Sequence, residues 1–219
     1  KYLIYIFYFN LIYLMPKITS IFPIPVYNSE PFDLDQNELD YINNEYSNST
    51  INTGKNKTSK NHYILNDDKL KKLNEFIKEN LNEYWFNVLQ VNNECKIKIT
   101  QSWINYNEKN TSHHIHSHSN SLVSGVFYVD NPTPILFNRP SVKPFPPFAF
   151  KHKISNHYNN ERVQVSCKKG CLILFPSYLL HGVSENINDN TRISISLNSF
   201  VEGQLGSEDT LTLLKLNVI

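Results

Sequence analysis

The segment "HHIHSHSNS", residues 113–121, contains four of the chain's eight histidines: His113, His114, His116 and His118. Side chains alternate between the two faces of a β-strand, so a strand here would place His114, His116 and His118 on one face and His113 on the other. Two imidazoles at positions i and i+2 can then bind one metal ion. The alternative is a polar loop whose histidines bind metal only adventitiously.

A fifth histidine and an arginine downstream favour a specific metal site. His181 follows an apolar run in "LILFPSYLLHGVSEN", and Arg192 begins "RISISLN" eleven residues later. A facial iron(II) site takes two ligands from one strand and a third from a distant strand, and it leaves positions open for a cosubstrate and oxygen. An arginine one strand beyond the third ligand would place a fork of donors where it can hold a carboxylate.

Short strands are predicted to position these residues. After Cys95 the chain consists of alternating or β-branched runs such as "KIKITQSWI", "LVSGVFYV", "RVQVSC" and "RISISLNSF", separated by Asn, Pro, Gly and Ser clusters. This spacing indicates an antiparallel sandwich or barrel. Upstream, apolar residues recur at threes and fours over 67–89, which predicts one amphipathic helix with Asp67 or Asp68 as its cap.

The fold predicted from these patterns is mainly β with N-terminal helices, an α+β arrangement in which a helical layer packs on a β-sandwich. Residues 33–45 are predicted to be weakly helical, 46–62 to form a polar loop, and 208–214 to form a short tail helix. The expected division is an N-terminal segment over 15–95 and a β core over 96–219.

The first fourteen residues, "KYLIYIFYFNLIYL", are apolar but short for a transmembrane helix, and Met15 is the chain's only methionine. We expect Met15 to be the translational start and residues 1–14 to be an upstream or leader extension. A truncated signal peptide or a membrane anchor is the alternative, and it would give the protein a membrane partner.

Composition excludes several classes of partner. The chain has 219 residues with 21 basic and 20 acidic side chains, so charge recruits neither nucleic acid nor a membrane surface. The three cysteines, Cys95, Cys167 and Cys171, are too few and odd in number for a disulfide framework. They indicate a reducing compartment, and we expect the protein to be cytoplasmic.

A family resemblance joins these motifs. The His-x-His pair followed by "SLVSGVFYV", then "GCLILFPSYLLHGVSEN" and "RISISLNSF", resembles the iron(II)- and 2-oxoglutarate-dependent oxygenases, and within them a group found in marine bacteria and their phages. "IFPIPVY", "SWINYN" and "VEGQLGSEDTLTLLKL" also fit that group. The resemblance implies a double-stranded β-helix, the cupin-like jelly-roll, which holds Fe(II) and uses 2-oxoglutarate and oxygen, with hydroxylation as its default reaction. It also suggests a host cell infected by a phage or virus as the cellular setting.

The resemblance assigns roles to individual residues. It implies His116, His118 and His181 as metal ligands, with His114 as an alternative and Ser119 where a proline is common. For 2-oxoglutarate, it implies that the far carboxylate is bound by Arg192, Ser194 and Tyr128. Asn105 and Tyr106, on the preceding strand, are further expected cosubstrate contacts.

One position departs from the superfamily pattern. His118 stands where most members have Asp or Glu, and Asp130 is expected to lie in a turn instead of the site. Three neutral imidazoles resemble the donor set of three-histidine iron dioxygenases, which need no 2-oxoglutarate. A further alternative is a non-catalytic cupin-like module with a structural or sensory metal, although such a module has no need for Arg192 and Ser194.

The substrate is expected to be a small molecule or a protein side chain. Residues 138–161 are rich in proline and aromatic residues and lie between core strands, where loops of this fold cover the site. Phe145, Phe148 and His152 are candidate substrate contacts, although a surface connection between strands has the same composition.

Overall fold

Two antiparallel sheets form the core of the computed structural model, which describes residues 18–140 and 151–217. The strands of the larger sheet are β1 (Tyr27–Asn28), β2 (Ser49–Ile51), β3 (Lys57–Ser59), β4 (Cys95–Asn107), β6 (Val123–Asp130), β9 (Leu172–Pro176), β11 (Arg192–Leu205) and β12 (Leu214–Leu216). Their order is β1-β9-β6-β11-β4-β3-β2, with β12 beside β11. The smaller sheet has the order β5-β10-β7-β8 and comprises β5 (His113–His116), β7 (Ile135–Asn138), β8 (Arg162–Val165) and β10 (His181–Val183).

The long strands β4 and β11 form the centre of the larger sheet and separate two environments. They pair antiparallel from Arg192↔Asn107 to Gly203↔Cys95. Because side chains alternate along a strand, Ile195 and Leu197 face a hydrophobic core, whereas Ser194 and Ser196 line a cavity between the sheets. The run "RISISLN" therefore builds a core face and a polar wall at the same time.

The helical layer packs on the other face of the larger sheet. Helix α2 (Lys71–Asn82) is preceded by a 3₁₀ turn, Asp68–Leu70, and continued by a π-helical turn, Glu83–Val88. Leu73, Ile77 and Leu81 of α2 are buried in the core that the sheet completes. The predicted helix over 67–89 thus has the expected extent and core face but is divided into three turn geometries, with the Asp67 side chain accepting from Lys69 N.

Helix α1 (Gln36–Asn44) confirms the predicted helix over 33–45. It begins with a capping box, in which the Asp35 side chain accepts from Glu38 N and the Glu38 side chain accepts from Asp35 N. The other Glu38 oxygen accepts from Leu73 N at the start of α2. One buried carboxylate therefore ties the two helices together.

Two local predictions were wrong. Residues 46–62 were predicted to be a loop, but β2 and β3 form a hairpin there, and β3 pairs with β4. This hairpin lies at the sheet edge and is held by backbone hydrogen bonds, so it has no apolar period to recognise. Residues 208–214 were predicted to be helical, but a turn at Glu208–Leu211 leads into β12, because pairing with the free edge of β11 supplies more backbone hydrogen bonds than one helical turn.

The predicted division into a segment over 15–95 and a core over 96–219 stays a prediction. Over 18–140 and 151–217, no helix is long and apolar enough to cross a membrane. The predicted extension over 1–14 lies outside the described residues, as do Phe145 and Phe148 of the connection between β7 and β8. His152 of the same connection is exposed.

Candidate metal and cosubstrate site

Three histidines converge where β5 and β10 meet. His181 begins β10 and lies opposite His116, the last residue of β5, while His118 follows two residues later. The Nε2 atom of His118 lies 3.1 Å from that of His116 and 3.2 Å from that of His181. Around a metal with bonds of about 2.1 Å, ligand nitrogens at right-angled to tetrahedral spacing are about 3.0–3.4 Å apart. The spacing therefore fits three ligands of one ion.

Hydrogen bonds fix which nitrogen of each ring is free. Nδ1 of His116 lies 2.8 Å from the carbonyl oxygen of His114, and Nδ1 of His181 lies 2.8 Å from that of Leu179. A carbonyl only accepts, so both Nδ1 atoms carry the proton and both Nε2 atoms present lone pairs. These lone pairs face the Nε2 atom of His118, and three ring nitrogens directed at one point are the donor arrangement that a cation satisfies.

Burial keeps these rings in the form that binds metal. It lowers the pKa of His116 and His118, and it lowers the pKa of His181 to about 3. The neutral imidazole is thus the stable form at neutral pH, and a metal ion would not compete with protons there. The three donors carry no net charge.

His113 was predicted to face away from the site, and this was wrong. It lines the same cavity as His116, and the two rings are stacked with centroids 4.8 Å apart. The pairing of β5 with β10 explains the error, since His116 lies opposite His181 but His113 lies opposite Val183. Three residue steps along β5 match two along β10, and this bulge turns His113 to the side of His116.

His114, the alternative ligand, is exposed and does not line the cavity. Among the described residues, its ring belongs to a second set of possible ligands with His113 and His116, apart from the set of His116, His118 and His181. The contribution of His114 to the three-histidine set is its backbone carbonyl, which holds His116.

Gly182 allows β5 to lie against β10. A Cβ atom at this position would be 2.8 Å from the His113 carbonyl oxygen and 2.8 Å from the Ile115 Cδ1 atom. Real side chains do not tolerate such distances to backbone, so the residue after His181 must be glycine for the histidine strand to keep its place.

Buried polar groups without partners lie at the other end of the cavity. Arg192 is 2% exposed, and within the described part of the chain its Nη2 atom has no acceptor while Nη1 lies 3.5 Å from the Ser184 carbonyl oxygen. Burial lowers the pKa of Arg192 to about 10, so the guanidinium stays charged at neutral pH. The Tyr128 hydroxyl is likewise buried without a partner among the described residues, and burial raises its pKa.

Asn107 is a cavity residue that the sequence analysis missed. Its Nδ2 atom is a third buried group without a partner in the ranges described, and it lines the cavity with Arg192 and Tyr128. An unpaired buried donor costs about 1–3 kcal/mol, so three of them at one place indicate a site for an acceptor-rich group. The signal was present in the sequence, because Asn107 is two residues beyond Asn105 and shares its face of β4.

The other expected cosubstrate contacts divide into two groups. Ser194 and Asn105 line the cavity, but the Asn105 amide donates to Ser196 Oγ and accepts from Trp103 Nε1, so it is already engaged. Tyr106 was predicted to contact the cosubstrate, and the structure contradicts this. Its ring faces the helical layer, and its hydroxyl donates to the Ile42 carbonyl, because odd and even positions of β4 face opposite sides.

Two further predictions concern residues outside the cavity. Asp130 ends β6 and pairs with Lys169 at 3.3 Å instead of entering the metal site, as expected. Cys95, Cys167 and Cys171 are all free.

Comparisons with known proteins bear on the family and the fold. A family model described as "Putative 2OG-Fe(II) oxygenase" matches residues 101–198, which span from β4 to Asn198 of β11. No curated protein matches the chain. The narrower grouping with marine bacteria and phages stays a prediction.

Solved structures show a similar fold at low identity. The non-heme alpha ketoglutarate dependent epimerase SnoN from nogalamycin biosynthesis has a TM-score of 0.55 at 15% identity, over 80% of this chain and 78% of that one. HygX from Streptomyces hygroscopicus, solved with nickel, 2-oxoglutarate and hygromycin B, has a TM-score of 0.51 at 12% identity, over 80% and 82%. A Pseudomonas putida prolyl-4-hydroxylase has a TM-score of 0.52 at 10% identity, over 80% and 92%. The predicted jelly-roll fold is confirmed.

Proposed function

Since the β-sandwich core of this chain matches the 2OG-Fe(II) oxygenases in its family model and in its fold, we propose that the protein is an Fe(II)- and 2-oxoglutarate-dependent dioxygenase that hydroxylates its substrate. One observation carries the proposal. A single cavity holds three converging imidazole nitrogens at one place and the buried, unpaired Nη2 atom of Arg192 at another.

The site residues fall into metal ligands and cosubstrate contacts. His116, His118 and His181 would hold Fe(II), which supplies the chemistry that couples oxygen and 2-oxoglutarate consumption to oxidation of a substrate C–H bond. Arg192 would bind the far carboxylate of 2-oxoglutarate, and the Tyr128 hydroxyl would donate to it. Ser194 and Asn107 line the same end of the cavity and would complete its set of donors.

A second candidate function rests on His118. A donor set without a carboxylate favours a three-histidine iron dioxygenase that does not use 2-oxoglutarate. The buried donors around Arg192 favour the first proposal, because the second leaves them without a ligand. A non-catalytic metal-binding module leaves them unexplained in the same way.

A groove of about 780 Å³ beside the metal site is the candidate substrate entrance. Its apolar wall includes Phe22, Val26, Phe137 and Leu179. The Phe137 ring lies 6.1 Å from the His181 ring, and the Leu179 carbonyl holds His181 in place. This lining suits an apolar or aromatic part of a small molecule or of a protein side chain.

The test begins with protein purified without oxygen. We expect Fe(II) to bind, 2-oxoglutarate to bind to the Fe(II)-loaded form and only weakly to the metal-free form, and oxygen then to yield succinate, even slowly and without a substrate. Calorimetry measures both binding steps, and chromatography measures succinate. Fe(II) binding without any binding of 2-oxoglutarate would favour the three-histidine alternative.

A further inference from the structure

Asn198 supports the ligand that distinguishes this metal site. It is a buried residue of β11, and its Oδ1 atom lies 2.5 Å from Nδ1 of His118. The amide is oriented by its other contacts, since Oδ1 also accepts from Ser124 Oγ at 3.4 Å and Nδ2 donates to Gln101 Oε1 at 3.4 Å. The oxygen therefore faces the ring.

We propose that Asn198 is a positioning residue for the metal site, holding His118 in the tautomer whose Nδ1 carries the proton and whose Nε2 is free to bind metal. The inference rests on the proposed function only in requiring that the site binds a divalent metal. Trp103 stacks on the His118 ring at 5.9 Å and 23°, which restrains the plane of the ring without selecting the nitrogen. Asn198 makes that selection.

The three ligands differ in how they are held. His116 and His181 donate to backbone carbonyls, which no substitution of a side chain removes. His118 alone among the three depends on a side chain for its Nδ1 partner. A substitution at 198 therefore changes one ligand and leaves the partners of the other two in place.

The neutral amide also sets the charge of the site. With three neutral imidazoles and a neutral Asn198, a bound divalent ion keeps both positive charges and attracts a dianionic cosubstrate. A carboxylate at 198 would make the His118 ring a stronger donor and would add a negative charge close to the metal. It should therefore tighten metal binding while weakening cosubstrate binding.

The experiment compares Co(II) affinity in wild-type protein, Asn198→Leu and Asn198→Asp by calorimetry. Asn188→Asp is the matched control, because it adds the same charge at an exposed position. We expect Asn198→Leu to bind Co(II) roughly 10–100-fold more weakly. Asn198→Asp should bind Co(II) more tightly and, once loaded, bind 2-oxoglutarate more weakly, whereas Asn188→Asp should match wild type.

A purely structural role for Asn198 would weaken Co(II) binding in both variants, and that result, or no change in either, would overturn the proposal. Nitrogen NMR of the His118 ring in metal-free wild-type protein needs no variant, and a proton on Nε2 in place of Nδ1 would also contradict it. The Co(II) measurement uses neither 2-oxoglutarate nor oxygen. If 2-oxoglutarate binds to no form of the protein, the proposed function fails while the opposite Co(II) shifts still support Asn198.

Discussion

Asn107 and Arg192 lie directly opposite each other on β4 and β11, and each has a buried nitrogen that finds no acceptor among the described residues. Neighbouring strands thus present two donors at the same depth of the cavity, with the Tyr128 hydroxyl lining the same cavity. A folded protein keeps such groups unpaired only at a cost, and a bound carboxylate removes that cost.

Replacing Arg192 with lysine should weaken 2-oxoglutarate binding roughly 10–100-fold, because an ammonium keeps the charge but loses the planar fork that pairs with a carboxylate. Calorimetry on Co(II)-loaded protein measures the effect. Arg162→Lys, at an exposed position of β8, makes the same chemical change away from the cavity and should bind 2-oxoglutarate like wild type. Equal affinity in both variants would show that Arg192 has no part in binding.

Tyr128→Phe and Tyr106→Phe should have opposite consequences. The Tyr128 hydroxyl has no partner in the described structure, so its removal should leave ligand-free stability unchanged or slightly raised while weakening 2-oxoglutarate binding several-fold. The Tyr106 hydroxyl donates to the Ile42 carbonyl, so its removal should lower the free energy of unfolding by about 1 kcal/mol without changing 2-oxoglutarate affinity. Denaturant unfolding measures the stability of each variant, and calorimetry measures its affinity for 2-oxoglutarate. Weaker 2-oxoglutarate binding in Tyr106→Phe but not in Tyr128→Phe would contradict the placement of the cosubstrate on the cavity face of the sheet.

Gly182→Ala should weaken metal binding through the backbone. The added methyl group would meet the His113 carbonyl and Ile115, so β5 must move away from β10, at a cost of about 1–3 kcal/mol. We expect a lower midpoint of thermal unfolding and a Co(II) affinity reduced at least several-fold, because His116 moves with the strand. Ile187→Ala, at an exposed position in the connection after β10, is the control for a general effect of substitution in this region. Wild-type Co(II) affinity in Gly182→Ala would mean that the spacing of the histidines does not depend on this contact.

Glu38→Ala should destabilise the helical layer and spare the site. The Glu38 carboxylate accepts from Asp35 N and from Leu73 N, and both N–H groups lose this partner in the variant. We expect the free energy of unfolding to fall by about 2–4 kcal/mol, with Co(II) affinity unchanged in the protein that remains folded. Asp40→Ala removes an exposed carboxylate from the same helix and should cost far less. A comparable loss in both variants would exclude the buried contacts of Glu38 as the cause.

The sequence predicted the elements in which apolar residues repeat at a regular spacing. The strands from 95 onward and the helix beginning near 67 were recognisable because apolar residues repeat with the period of the element that buries them. The β2–β3 hairpin was not, since its stability comes from pairing with β4 and its residues are polar. Local pattern cannot report such a tertiary contact.

The site shows the same division. The approach of His116, His118 and His181 followed from motif spacing and family resemblance, and the structure brings the three together. The inward turn of His113 depends on a bulge that only the pairing of β5 with β10 creates. Tyr106 was misjudged and Asn107 was missed for a simpler reason. Neighbouring positions of β4 face opposite sides of the sheet. Choosing the positions that face the cavity therefore requires knowing which side the helices cover.

The alternation along β11 also constrains how this protein can change over evolution. Arg192, Ser194, Ser196 and Asn198 all face inward from one uninterrupted strand, so a single inserted or deleted residue between them would replace part of the polar wall with its isoleucine and leucine neighbours. Such an insertion or deletion would turn the residues at one end of the cavity away from it while those at the other end stay in place. Lineages of this chain should therefore keep a fixed length over 192–198.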